Sequence, residues 1–179
     1  LQSTNERWAM SMVLDSSNRP CITYHYNSSK SLSHMYWNGS SWVQETVDQG
    51  RVIGQYASLA MDSLGNPHIS YQGYYGPEDP DLFYARKSGG TWIYEQVDNA
   101  GDTGGYSSIK LASNGFPSVA YCRFKTTWTT DNQARVTSDL KYAYKDGSGW
   151  HTTLVQSNTG QFISLALYGG WPRISYCDL

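Results

Sequence analysis

The sequence predicts an all-β chain of short antiparallel strands, and two observations carry that expectation. The first is composition: of 179 residues, 15% are aromatic, with 15 Tyr and 7 Trp, and 17 are Gly. Aromatic side chains suit a pleated, half-buried surface, and glycine suits the tight turns between strands. The second is an internal repeat, which sets the architecture before any single residue is considered. No helical periodicity of any length accompanies it.

The repeat has two modules. Ser58–Tyr71 (SLAMDSLGNPHISY) recurs as Ser11–Tyr24 (SMVLDSSNRPCITY) and Ser108–Tyr121 (SIKLASNGFPSVAY), and one residue shorter as Ser164–Tyr176 (SLALYGGWPRISY). Each copy reads as a strand, a Gly/Asn/Ser turn closing on proline (Pro20, Pro67, Pro117 or Pro172), and a second strand ending in tyrosine. The second module follows three of the copies. Leu32, Trp42 and Val47 match Leu82, Trp92 and Val97, and again Leu140, Trp150 and Val155, always ten and then five residues apart. Fixed spacing implies a hairpin, turning at Asn38–Ser41, Ser88–Thr91 and Asp146–Gly149, with Trp42, Trp92 and Trp150 opening the last strand as packing residues.

The unit is therefore four short antiparallel strands. Radial repetition of such sheets protects strand edges in a β-propeller. The predicted architecture is an all-β propeller of four-stranded antiparallel blades: 8–48, 49–98, 99–156, and a half blade over 157–179. A sandwich would not need four copies of one repeat, and the Gly-His and Trp-Asp pairs of WD repeats are missing. The repeat SLA-D-GNPHISY … L-YA … GG-W resembles that of bacterial extracellular propellers and, more distantly, the Asp-box folds of sialidase type. Ser88–Trp92 and Asp146–Trp150 keep the Gly and Trp of the Asp box but not its full Ser-x-Asp-x-Gly-x-Thr-Trp. Three and a half blades leave open edges. Either the chain is part of a longer polypeptide, or neighbouring chains complete one another, as a closed pair with seven blades' worth of strands or as a fibre.

The net charge of −2 and a charged fraction of 16% exclude the basic face that a nucleic-acid partner requires. No apolar run of about 18 residues is present, so no membrane-spanning helix is expected. Leu1 stands first with no basic-then-apolar leader, read as a removed signal peptide or as part of a larger chain. Few lysines and abundant Tyr, Trp, Ser, Thr, Asn and Gly lean toward an extracellular or cell-surface protein. Cys21, Cys122 and Cys177 are too few for a disulfide scaffold. Cys122 and Cys177 hold equivalent repeat positions, and buried free thiols are favoured over a bridge between them.

Length variation is concentrated in one place. From the closing Tyr to the next Leu the spacing is 8, 11 and then 19 residues, so the loops of one rim are the candidate binding surface. The longest insert, Cys122–Asp139, is read as a polar loop. It carries Trp128 among Asp131, Asn132 and Arg135, a flat aromatic with hydrogen-bonding neighbours that suits a sugar ring. The competing reading has Trp128 pinning the loop to its own blade. Trp37 and Trp171 break the repeat and are further candidates for exposure. A second loop joins Tyr74 and Tyr75 to the carboxylates Glu78, Asp79 and Asp81. These oxygens are the one metal candidate, for Ca²⁺, against an ordinary solvated loop. No cofactor is otherwise expected. Asp48 and Asp98 fall at the blade links, where turn capping is the ordinary role.

Catalytic patterns are lacking. His25, His34, His68 and His151 have no metal-ligand spacing, no inner-strand carboxylate pair of glycosidase type is evident, and Gly-x-Ser-x-Gly does not occur. The arginines do not repeat where a sialidase cluster needs them. Asn27 and Asn38 begin glycosylation sequons, meaningful only in a eukaryotic secretory pathway. The reading is a secreted or surface-displayed, non-enzymatic binder of carbohydrate or protein, working as a homo-oligomer or with the remaining blades of a longer chain. The alternative is a structural protein assembling through its half blade.

Overall fold

In the computed structural model, residues 10–26, 30–50, 52–74 and 80–178 are described. Among them every regular element is a strand. The first sheet comprises β1 (Met10–Leu14), β2 (Pro20–Tyr26), β3 (Ser31–Trp37) and β4 (Trp42–Gln49). The second comprises β5 (Val52–Met61), β6 (Pro67–Tyr74), β7 (Asp81–Ser88) and β8 (Thr91–Asp98). The third is β9 (Thr103–Leu111), β10 (Pro117–Trp128), β11 (Ala134–Asp146) and β12 (Gly149–Gln156), and a terminal hairpin pairs β13 (Gln161–Tyr168) with β14 (Trp171–Cys177). Each sheet is an antiparallel meander in chain order.

The repeat builds its own turns. Asp15 Oδ1 accepts the backbone N–H groups of Ser17 (2.8 Å) and Arg19 (2.9 Å), and Asp62 Oδ1 accepts those of Leu64 (2.9 Å) and Asn66 (2.7 Å). A carboxylate there supplies the acceptors that a tight turn leaves unmet. Asn38 and Asp146 do the same for the β3–β4 and β11–β12 turns.

Successive sheets meet along their first strands through one recurring set of contacts. The backbone N–H of Leu59 donates to Ser11 Oγ (3.0 Å), that of Ile109 to Ser58 Oγ (3.2 Å), and that of Leu165 to Ser108 Oγ (3.0 Å). The repeat serine thus satisfies a donor on the following sheet. Leu32, Leu82 and Leu140 are wholly buried where the next sheet approaches through a glycine. A Cβ on Gly54 would lie 2.8 Å from Leu32 Cβ, and one on Gly160 2.7 Å from Leu140 Cβ. Both glycines also adopt positive φ, so size and backbone conformation each demand glycine.

Asp48 and Asp98 do more than cap turns. Asp98 Oδ1 accepts Ala100 N–H (3.1 Å), as a cap would, while its Oδ2 accepts the Tyr121 hydroxyl (2.5 Å) and the Lys141 ammonium across the joint. Asp48 likewise takes Tyr71 OH (2.5 Å). At the outer edge Lys87 pairs with Glu45 and Lys145 with Glu95, each ammonium lying over the ring of Trp92 or Trp150. Trp92 and Trp150 are packed against the core as the repeat predicts. Trp42 is not: it is 47% exposed, edge-on to Trp37, because no sheet precedes it among the described residues. All three cysteines are free; Cys21 and Cys122 are buried.

Candidate functional site

Each first strand after β1 begins with a bulge. The pairing slips between Gln55 and Ser58, opposite Ala120–Cys122, and between Gln161 and Ser164. The bulged residues Tyr56, Tyr106 and Phe162 have φ of +50°, +50° and +52°. A large side chain in that region costs about 1–3 kcal/mol unless its surroundings hold it there. What holds these is one another. Tyr56 and Tyr106 lie with ring centroids 4.8 Å apart, Tyr106 and Phe162 4.9 Å apart, and Phe124 of β10 closes on both tyrosines from one side.

The result is a row of three rings, one each from β5, β9 and β13, lining a cleft of about 490 Å³ with Gln55, Ser107 and Ile163. Its wall is mainly apolar, with phenol, amide and hydroxyl groups among the rings. Burial above all, with Tyr106 next, raises the Tyr56 hydroxyl above the ordinary phenol value. Tyr74, half-buried at the end of β6, lies near enough to add to that effect. Burial pushes the neighbouring Cys122 thiol up to about 12, so it stays protonated and unreactive at neutral pH.

The row was not foreseen from the sequence, although a signal was there. Gly54-Gln-Tyr-Ala-Ser58, Gly104-Gly-Tyr-Ser-Ser108 and Gly160-Gln-Phe-Ile-Ser164 share one pattern, a glycine and an aromatic at fixed distances before the repeat serine.

The Cys122–Asp139 insert is not a loop. It prolongs β10 and β11 into a two-stranded arm whose register runs unbroken from Ser118↔Tyr144 to Trp128↔Ala134. The β-branched Thr126, Thr127, Val136 and Thr137 favour that extension over an irregular loop. Trp128 stands at its tip, 67% exposed, so it does not pin the arm to its own sheet. Asp131 and Asn132 shape the turn: Thr129 Oγ1 donates to Asp131, and Asn132 takes the left-handed conformation at φ +62°.

Arg135 pairs with Thr127 and Trp128 with Ala134. Adjacent residues of a strand face opposite ways, so the arm separates Trp128 from Arg135. Arg135 instead lines a smaller polar cleft of about 260 Å³ with Ser138, Asn158, Thr159 and Gln161. Thr159 Oγ1 is buried there without a hydrogen-bond partner among the described residues. At the arm's base Asp139 accepts Arg123 and Lys125, each at 2.7 Å. Burial would raise its carboxyl, yet these two cations hold it below the usual range.

Of the acidic loop, Asp81 is described, and its Oδ2 accepts the Gln96 amide (2.7 Å). Tyr75, Glu78 and Asp79 lie outside the described residues. No group of three His, Cys, Asp or Glu side chains able to hold a metal occurs among the described residues. Nor is any helix there long and apolar enough to cross a membrane.

No family model matches the chain, and no curated protein aligns with it. Among solved structures, a fucose lectin from Kordia zhangzhouensis, determined in complex with methyl-fucoside, is similar with a TM-score of 0.51. The match spans 83% of this chain and 100% of that one, at 18% identity. The chain shares that lectin's fold. At this identity the likeness carries the arrangement of strands and no individual residue.

Proposed function

We propose that this chain is a non-enzymatic glycan-binding module of β-propeller type, and that sugar is bound at the rim formed by the aromatic row and the β10–β11 arm. The observation that carries this reading is the row Tyr56–Tyr106–Phe162 along a cleft of about 490 Å³. Pockets of roughly 300–1,000 Å³ hold small ligands, and an aromatic ring offers a flat apolar surface to the C–H face of a pyranose. Hydroxyls of the same sugar would meet the Tyr56 and Tyr106 phenols and the Gln55 amide. The similar lectin, solved with a methyl-fucoside, makes deoxyhexoses the first class of ligand to try. Consecutive sheets meeting through their first strands support the propeller arrangement.

The test is titration of methyl-fucoside, and of a panel of monosaccharides, against the intrinsic fluorescence of the chain. Phe162→Ala removes a ring that is 65% exposed, so the fold survives while affinity falls about tenfold, or ~1.4 kcal/mol. Trp128→Ala reports separately on the tip of the arm. A panel in which no sugar binds would overturn the reading. So would binding that neither substitution weakens.

A further inference from the structure

The polar cleft of about 260 Å³ lies between the base of the β10–β11 arm and the start of β13, with Arg135, Ser138, Asn158, Thr159 and Gln161 in its wall. Thr159 holds the position that Thr103 holds at the preceding joint. Each stands directly before the glycine that approaches a buried leucine, Gly160 on Leu140 and Gly104 on Leu82. Thr103 Oγ1 donates to Asp98 O (2.7 Å) and accepts the Leu82 N–H (3.0 Å), so its hydroxyl is used both ways. Thr159 is 4% exposed, and its Oγ1 has no partner among the described residues. The link explains the difference. Leu82 pairs with Asp98 and Leu140 with Gln156, but Thr103 follows five positions after Asp98 and Thr159 only three after Gln156. The shorter link returns no carbonyl to the hydroxyl. Both partners of Thr103 precede it in the chain, so the contrast is decided at the link itself.

A buried hydroxyl without a partner is costly in a fold, and this one opens on a cleft rich in unengaged donors. Arg135 is exposed and meets no carboxylate among the described residues. Residues 135–138 lie on a strand edge that pairs with β10 alone, because β12 joins β11 only from Leu140 onward. At the base of the arm Asp139 is shared by Arg123 and Lys125, two cations to one anion, and no carboxylate lines the cleft. Positive charge is therefore in surplus at this corner. We infer that this cleft is a second binding site, which takes the carboxylate of a uronic acid sugar. The planar guanidinium of Arg135 matches the two oxygens of a carboxylate. Thr159 Oγ1 supplies a buried donor, and the Asn158 and Gln161 amides supply partners for ring hydroxyls. An unpaired cation favours an acid over a neutral sugar. A wall with more polar groups than one carboxylate can engage favours a sugar acid over a simple one. The aromatic row offers rings and no charge, whereas this cleft offers charge and no ring. The two sites thus select different chemistry, and neither rests on the other.

The experiment is calorimetric titration of the full chain with glucuronic and galacturonic acids, with glucose and galactose as neutral counterparts and acetate as the bare carboxylate. At least one uronate is expected to bind about tenfold more tightly than its neutral counterpart and than acetate. Arg135→Gln, at an exposed position, should weaken that binding about tenfold, and Thr159→Val about fivefold. Excess methyl-fucoside should leave it unchanged, so failure of the aromatic row as a sugar site does not touch this result. Urea unfolding adds a readout that needs no ligand. Thr159→Val should keep or raise the unfolding midpoint, since its hydroxyl has no bond to lose, whereas Thr103→Val should lower it. Failure of both uronates to bind overturns the proposal, as does acetate binding equally well. So does full affinity in Arg135→Gln, or displacement by methyl-fucoside, which would place the uronate on the aromatic row. A midpoint lowered by Thr159→Val as much as by Thr103→Val would mean that the hydroxyl is bonded within the fold, and would overturn its assignment to a ligand.

Discussion

The second sheet and the first carry the same repeat in the same strands, but among the described residues the second has a sheet on either side and the first has one on one side. Leu59 and Met12 hold one position, as do Trp92 and Trp42; the residues of the second sheet are packed and those of the first lie open. Around these positions the strand pairing is equivalent in both, Ser11–Leu14 matching Ser58–Met61 in register. Burial at these positions is therefore conferred by the neighbouring sheet and not by the strand itself. Most of the core lies between sheets, in one cluster around Leu32, Ile53, Ile69 and Tyr71 and a second around Leu82, Tyr84, Ile109 and Tyr121. The hydrophobic driving force for folding accordingly acts from sheet to sheet.

The comparison breaks most visibly at its apolar centre. Leu59→Ala is expected to cost about 2–5 kcal/mol, as buried leucine truncations do, whereas Met12→Ala in dilute solution should change stability by no more than about 0.5 kcal/mol. Urea unfolding measures both, and equal losses would mean that the joint contributes little. A smaller effect separates two kinds of glycine. Gly54 and Gly65 both have positive φ, but only at Gly54 would a Cβ meet a neighbour, Leu32. Gly54→Ala should thus lose about 1–3 kcal/mol through overpacking beyond the shared backbone strain, and Gly65→Ala only the strain.

The smallest effect is titration at the enclosed face. His34, set edge-on to Trp92, and His68, bonded to Tyr84, have their pKa values lowered, burial outweighing the opposing pull of Glu45 and Asp62. A histidine whose folded pKa lies below the unfolded value of about 6.5 binds protons preferentially when unfolded. Its contribution is complete above that value and declines as pH falls through it. Stability should therefore decrease between pH 7 and 5, and His34→Gln with His68→Gln should flatten the decrease in urea midpoints. An unchanged slope would place the titrating groups elsewhere. Below pH 4 a further loss is expected as Asp139 and Glu45, both held below their ordinary values, take up protons.

What could be read from the sequence follows the range over which each feature is decided. The strands, the turns that close on proline and the tryptophans that open the last strands are set by residues a few positions apart, repeated often enough to stand out. The exposure of Trp42 was not legible, because it depends on what lies beyond the first sheet. The separation of Trp128 from Arg135 needed the register of the arm, since one residue of slip exchanges the two faces of a strand. The aromatic row needed the bulges: an inserted residue breaks the alternation that strand reading relies on, and Tyr56, Tyr106 and Phe162 are the residues inserted. Asp48 and Asp98 sat where turn caps were expected, and their second oxygens bind partners 23 residues away along the chain.

Because each sheet is completed by consecutive strands, with none exchanged between sheets, the chain is a series of self-contained cassettes. In-frame duplication of one cassette would create a new joint with the same serine, leucine and glycine on either side and leave the existing joints as they are. Duplication of the second or third sheet would also extend the aromatic row by one ring. A gene with this layout can alter the length of its binding surface in whole steps, without redesigning a single contact.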